Sequence, residues 1–411
     1  MKIARLLRET LTLILAGGHG ERLYPLTKYR AKPAVPFAGE YRIIDFTLSN
    51  CVNSGLKRIY VLTQYMSQSL DRHLKLGWNI FSSALDEYLY TVPPQFRLGN
   101  QWYLGTADAV LQNLHILQEE RPARVLILSG DHIYKMDYSA MIGAHLRTQA
   151  MATVAAVECD CITARRMGVL EVDGDHRILS FEEKPAHPKT IPGRPGFSLV
   201  NMGVYLFETE ALVRAVSADA RCSESTHDFG RDILPALVSS GRVFAFPFVD
   251  ENRKSMQYWR DIGTLDSYYE ASMDLVAVDP VFNLYDRSFP IHTHVEPRPP
   301  AKLVFAESGA GRVGMALNSL LCNGCIVSGG RVERSILSPD VKIHSYATVE
   351  DSILFHRVEV GRHARIRRAI IDKDVKIPPG FTIGYDREQD SKLFTVTESG
   401  LVVIPKGEIV P

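Results

Sequence analysis

The sequence predicts an α/β domain whose sheet is covered by helices, followed by a parallel β-helix built from hexapeptide repeats. Three patterns carry that expectation. Short β-rich apolar runs alternate with helical stretches from residue 11 to about 275, as in a helix-covered sheet. Pro280, Pro290, Pro297, Pro299 and Pro300 then break the alternation and favour an extended connector. Beyond residue 313, aliphatic residues recur every six positions. The expected boundaries are 1–276 for the first domain, 277–312 for the connector and 313–411 for the repeat domain.

Composition narrows the function classes. At roughly 100–200 residues per domain, 411 residues make two or three domains, each with its own core. The 47 Lys and Arg balance 47 Asp and Glu, so no net field attracts nucleic acid or an anionic membrane, and a small-molecule protein is expected. The six cysteines, Cys51, Cys159, Cys161, Cys222, Cys322 and Cys325, cannot frame so long a chain with disulfides. Cys322 and Cys325 form a C-x-x-C pair with no second pair to complete a zinc site, so packed thiols in a reducing cytoplasm are expected. No apolar run approaches the ~18 residues of a membrane helix. Lys2, Arg5 and Arg8 ahead of Leu11 to Ala16 imitate a secretory signal, but so short an apolar run meeting Gly17-Gly18 reads better as a buried first strand.

Leu11–Leu15, Arg58–Thr63, Val125–Ser129 and Thr153–Val157 are continuous apolar runs of strand length, as parallel strands covered on both faces should be. In Thr106–Glu120, Ala107, Val110, Leu111, Leu114 and Leu117 recur at helical spacing behind Thr106, the expected cap. In the repeat region Leu320, Ile326 and Val332 are six apart, as are Val341, Ala347 and Ile353, then Val360 and Ile366, then Val375 and Phe381. Each face of a triangular parallel β-helix takes one hexapeptide with its aliphatic residue inward. A small antiparallel β domain remains the alternative.

The most informative stretch follows the first strand, Gly17-Gly18-His19-Gly20-Glu21-Arg22. Glycines let backbone N–H groups approach an anion closely. Leu23 stands where a dinucleotide fingerprint needs glycine, and no Gly-Lys-Ser/Thr follows to make a P-loop. Arg22 and, further on, Lys32 supply the cations that a triphosphate requires. Asp131 ends the Val125–Ser129 strand just past Gly130, and open α/β sheets bind ligands at strand carboxyl ends, so Asp131 and the glycine loop should share one edge. A carboxylate there can hold Mg²⁺, with Asp261 as the second ligand. Asp137 reads as a cap, and Glu182-Glu183-Lys184 taken alone reads as a solvated turn.

Gly17-Gly18-x-Gly20-x-Arg22-Leu23-x-Pro25-Leu26-Thr27 with Lys32-Pro33-Ala34-Val35 resembles the signature of the sugar-phosphate nucleotidyltransferases. Arg42-Ile43-Ile44-Asp45-Phe46, Trp102-Tyr103-x-Gly105-Thr106-Ala107-Asp108-Ala109, Ser129 through Tyr138 and Tyr258 through Thr264 resemble the branch that adenylates glucose 1-phosphate. The resemblance implies a Rossmann-like domain with a mixed, mostly parallel sheet and a left-handed β-helix. It implies ATP and α-D-glucose 1-phosphate as substrates, ADP-glucose and pyrophosphate as products, Mg²⁺ as cofactor, a role in glycogen synthesis and a homotetramer. Gly17, Gly18, Gly20, Arg22, Lys32 and Gln95 match ATP-site positions; Tyr103, Gly168, Glu183, Lys184 and Asn201 match sugar-site positions; Asp131 and Asp261 match the metal pair. Asn201 stands where bacterial enzymes usually carry Ser, although an amide can also bond a hydroxyl.

Related readings stay open: a transferase using UTP, dTTP or GTP, a silent regulatory subunit, and, more weakly, an acyltransferase whose catalytic His no context singles out among His344, His356 and His363. Family members activated by fructose 1,6-bisphosphate usually carry a Lys and a His where this chain has Tyr29 and Pro36; of that set only Arg42 remains. Weak response to that activator is therefore expected. Another anionic metabolite is expected to use Arg42, with Arg365, Arg367 and Arg368 of the β-helix as possible partners.

Overall fold

The computed structural model describes residues 2–95, 102–254, 257–307, 309 and 311–411. Besides a short antiparallel pair, Pro36–Phe37 with Tyr41–Arg42, the strands of the first domain are β1 (Thr10–Ala16), β2 (Arg58–Thr63), β3 (Tyr88–Val92), β4 (Arg124–Ser129), β5 (His132–Tyr134), β6 (Ala152–Asp160), β7 (Gly168–Val172), β8 (Ile178–Glu183), β9 (Phe197–Glu208), β10 (Val243–Pro247) and β11 (Trp259–Asp261). Nine of them form one mixed sheet in the order β8-β7-β9-β4-β1-β2-β3, with β6 pairing β9 and β10. The β4-β1-β2-β3 portion is parallel, and β9 joins it antiparallel through Val204–Glu208. β5 and β11 make a separate two-stranded antiparallel ribbon.

Both faces of the central strands are buried, which is why those runs are continuously apolar. Ile14, Leu126 and Leu128 enter one core, while Leu11, Leu13, Val125 and Ile127 enter the other. A short helix, Lys2–Arg8, precedes the first strand and had no counterpart in the sequence reading. The expected Thr106–Glu120 helix is instead two helices, Thr106–Leu111 and Leu114–Glu120. At the break, the Asn113 amide donates to Ala109 O and to the Tyr103 hydroxyl, the kind of side-chain competition that interrupts helices. Gly105, not Thr106, occupies the cap; Thr106 is the first helical residue and its hydroxyl bonds Asp228 at 3.0 Å.

The C-terminal part is a three-sided stack of parallel strands. Ile336, Ile353 and Ile370 lie in register on one face, Ile343, Val360 and Ile377 on the second, and Val349, Ile366 and Ile383 on the third. Ile336 to Ile353 and Ile353 to Ile370 are 17-residue coils, one short of three full hexapeptides, so the six-residue period is broken at each join. Val332, Val341, Ala347, Ile353, Val360, Ile366 and Val375 are buried; Leu320, Ile326 and Phe381 are only half-buried. The ladder begins at Lys302–Val304, which pairs with Ile326–Ser328 inside the stretch read as connector. The prolines end at Pro300, so Lys302 has an N–H free to donate to Cys325 O at 2.8 Å.

A third apolar core joins the two parts. Leu265, Tyr268 and Tyr269, on the helix Leu265–Met273, pack with Ile336, Ile353, Phe355, Ile370 and Leu401. Tyr269 adds a hydroxyl bond to Asp351 O at 2.7 Å, and Arg30 forms a bidentate, buried pair with Asp372 at 2.9 and 3.0 Å. The Arg30 loop leads within two residues to Lys32, so the β-helix braces the segment carrying that cation.

Candidate active site

The sheet order places the exits of β1 and β4 side by side at a topological switch point, where open α/β sheets form their ligand crevice. Gly130 N donates to Leu15 O at 3.0 Å, fastening the two exits together. The glycine loop runs from β1 into a one-turn 3₁₀ helix, Glu21–Leu23. Gly20 is left-handed, with φ of +65°, and a Cβ there would stand 3.0 Å from both Lys32 Cβ and Thr27 Cγ2. Glycine thus serves twice, in conformation and in letting Lys32 close in. Gly17 lies against Gln64 and Tyr103, while Gly18 opens to free space. The exposed Arg22 guanidinium lies over Gly263, 3.5 Å from where its Cβ would be.

The β5–β11 ribbon brings up the acids. Its register sets His132 opposite Asp261 and Tyr134 opposite Trp259. Asp131 immediately precedes β5. Lys32 Nζ donates to Asp131 Oδ2 at 2.5 Å and lies 3.6 Å from Asp261 Oδ1. Ser129 donates its hydroxyl to Asp131 Oδ1. Burial disfavours the charged form of Asp131, yet Lys32 and His132, with the Ser129 hydroxyl, outweigh it and hold this carboxyl well below the usual carboxylate range. One ligand atom each from Asp131, His132 and Asp261 falls within 4.8 Å of the others.

Beside this cluster lies a cleft of about 260 Å³ whose lining includes Arg22, Gly168, Glu183, Lys184, Asn201 and Asp261. Gly168 permits the approach of Glu183, whose carboxylate lies 2.9 Å from the position of a Cβ there. Lys184, at the end of β8, is left-handed at φ 53° and exposed, with its ammonium 3.5 Å from Glu183. Its side chain is therefore available to an anion rather than spent in a buried pair. Asn201 donates to the Tyr205 hydroxyl at 2.7 Å and accepts from Gly203 N at 2.8 Å, which fixes its amide.

Tyr103, expected at the sugar site, and Gln95, expected at the ATP site, are not among the residues that line the cleft. Tyr103 backs the glycine loop, with its ring 3.8 Å from the Gly17 Cβ position and its N–H donating to Gln64 at 2.9 Å. Gln95 is exposed beyond β3 and its amide bonds Pro93 O at 3.0 Å; the segment that follows it lies outside the described residues. His132, Ser129, Arg166 and Asp228 border the cleft without having been singled out. Asp228 accepts from Gly230 N, Arg231 N and the Thr106 hydroxyl, closing the far wall. His132 adjoins Asp131 in sequence, but the register that sets it against Asp261 is tertiary information.

Arg42 does not reach the cleft. It is half-buried at the β-helix seam and donates to Ser69 O and Oγ at 2.9 and 3.0 Å. Burial pushes its guanidinium down to about 10; Asp45 opposes this, and Arg30 and Arg72 add to it. Arg365 and Arg367 stack on Tyr385, and Arg368 on Tyr269. The β-helix cation whose charge couples to Arg42 is instead Lys373, pushed down to about 7 by burial and then by Arg42 and Arg30.

A family model described as nucleotidyl transferase matches residues 11–277, and one described as GlmU-like, C-terminal hexapeptide matches residues 299–404. Among similar proteins, the glucose-1-phosphate adenylyltransferase of Rhodopirellula baltica is 53% identical over 98% of this chain and 92% of its own length. The enzyme of the same name from Koribacter versatilis is 52% identical, covering 97% and 95%. That from Anaeromyxobacter sp. is 51% identical, covering 97% and 98%.

Proposed function

Because the chain belongs to the nucleotidyl transferase family, we propose that its switch-point cluster and adjoining cleft are the site at which ATP and α-D-glucose 1-phosphate become ADP-glucose and pyrophosphate. The observation that carries this reading is the meeting of Lys32, Asp131 and Asp261 at the carboxyl edge, within reach of a cleft bearing Glu183 and Lys184. A supply of ADP-glucose for glycogen synthesis is the proposed cellular role. Among the described residues no helix is long and apolar enough to cross a membrane.

A sugar 1-phosphate has a second pKa near ~6 and is largely dianionic at neutral pH, so its oxygen attacks the α-phosphorus of ATP without a general base. A P–O bond forms to the sugar phosphate, and the α–β phosphoanhydride bond breaks. In this reading Lys184 aligns the attacking phosphate, Glu183 accepts from a sugar hydroxyl, and Asn201 and Gly168 complete the sugar wall. Arg22, Lys32 and the Gly17–Gly20 amides hold the β- and γ-phosphates as they leave. Tyr103 supports the glycine loop, and Gln95 is assigned to the ATP side. Asp131 and Asp261 offer the one or two carboxylates that Mg²⁺ accepts alongside phosphate oxygens, and they fit that ion. Bound there, Mg²⁺ would neutralise charge on the α-phosphate. The test is pyrophosphate release with Mg²⁺ across four NTPs and several sugar 1-phosphates: ATP with glucose 1-phosphate should lead, and a stronger UTP, dTTP or GTP reaction would overturn the base assignment.

We further propose that an anionic metabolite acts at Arg42, with Lys373 as its β-helix partner. Arg30 is committed to Asp372 and Arg357 to Asp374, whereas Lys373 faces like charge from Arg42, Arg30 and Arg357, offset by Asp372. A homotetramer in the cytoplasm completes the proposal, and light scattering on the eluting enzyme tests the assembly.

A further inference from the structure

His132 stands beside both aspartates. Its Nδ1 lies 3.1 Å from Met202 O. A carbonyl only accepts, so the Nδ1 proton is committed to this bond and Nε2 is the ring atom open to a metal ion. That nitrogen faces Asp131 Oδ1 at 3.5 Å and Asp261 Oδ1 at 3.7 Å. The ring is held in place by the edge of Trp259, 5.3 Å between centroids, and by left-handed Gly203, whose Cβ position lies 3.2 Å from His132 Cε1. A ring nitrogen aimed at two carboxylates, with its other N–H bound to a backbone carbonyl, is the arrangement that metal-ligating histidines adopt.

We propose that His132 is a third protein ligand of the divalent-ion site, through Nε2, and that this nitrogen shifts the site's preference from Mg²⁺ toward Mn²⁺. The inference rests on the reading of Asp131 and Asp261 as metal ligands. Two carboxylate oxygens serve Mg²⁺ and Mn²⁺ alike, but Mg²⁺ takes oxygen almost exclusively and is reluctant to dehydrate. An imidazole therefore adds more to Mn²⁺ binding than to Mg²⁺ binding.

The test is pulsed electron paramagnetic resonance on untagged protein with Mn²⁺, alone and with inorganic pyrophosphate, which contains no nitrogen. The wild type should show ¹⁴N modulation from one imidazole. In His132→Gln, which offers an amide at the same reach, the modulation should vanish and Mn²⁺ affinity fall about tenfold or more, with Mg²⁺ affinity, read by competition, changing less than about threefold. Mn²⁺ that binds without ¹⁴N modulation, and is lost in Asp131→Asn, would overturn the His132 ligand and leave the aspartate reading standing. Mn²⁺ binding indifferent to both Asp131→Asn and Asp261→Asn would overturn the metal reading and the inference with it. If His132→Gln fails to fold, the wild-type spectrum decides alone.

Discussion

The cleft floor and the seam between sheet domain and β-helix both concentrate charge, yet they are built differently. At the floor, Lys32 meets Asp131 and Asp261, so positive and negative groups stand in place before any ligand arrives. At the seam, Arg30, Arg42, Lys373 and Arg357 gather, while the nearby acids Asp372 and Asp374 are already taken. Burial and like charge push Lys373 down to about 7 there. The floor's charges are preorganised, which lowers a barrier; the seam's surplus is relieved only when an anion binds. Balanced charge suits chemistry, and unbalanced charge suits control.

The comparison breaks hardest at the floor. Lys32→Ala or Asp261→Asn should lower kcat about 10²–10³-fold, each removing a group that meets charge developing in the transition state; pyrophosphate release at saturating substrates reads it. Lys184→Ala probes the cleft wall, where the cation grips ground-state phosphate as well. A charge-assisted hydrogen bond of ~1.5–3 kcal/mol should appear as a roughly 10- to 100-fold rise in KM for glucose 1-phosphate, with kcat changed far less.

Seam effects are smaller. Fructose 1,6-bisphosphate should activate weakly or not at all, because exposed Tyr29 and buried Pro36 supply no charge; strong activation at micromolar effector would sink this. For any anion that does bind, Lys373→Met should weaken binding about tenfold. Binding an anion favours protonated Lys373, whose folded value of about 7 lies below the ordinary lysine range, so affinity should fall as pH rises above 7, by at most about tenfold per unit. A flat profile from pH 7 to 9 would exclude Lys373 from the site.

His356 acts on stability rather than on binding or turnover. Burial, then Lys373, Arg298, Arg357 and Arg42, push it down to about 2. Below pH 6.5 the unfolded chain takes up a proton that the folded one refuses, so stability is full above 6.5 and falls as pH drops, by up to about 1.4 kcal/mol per unit. Urea midpoints between pH 6.5 and 4.5 should fall less steeply in His356→Gln than in the wild type.

Much of this was legible because it is local. Apolar runs marked the buried strands, Asp137 does cap Tyr138–Thr148 by accepting from Ser139 N at 2.8 Å, and the six-residue period announced the β-helix. What sequence alone could not give depends on tertiary register. Lys373 feels the charge of Arg42 only because the Asp372 turn docks against the Arg30 loop, and His132 meets Asp261 only through the β5–β11 pairing. Asn113 split a helix whose apolar spacing looked continuous, because its amide found Ala109 O and Tyr103.

The account turns on Asp131 as the floor's central carboxylate. Asp131→Asn keeps the shape and removes the charge that Lys32 holds at 2.5 Å. Steady-state pyrophosphate release from the folded variant, with ATP, glucose 1-phosphate and Mg²⁺ all saturating, should show kcat reduced at least about 100-fold with KM for glucose 1-phosphate little changed. Near-normal turnover would contradict the assignment of the reaction to this cluster.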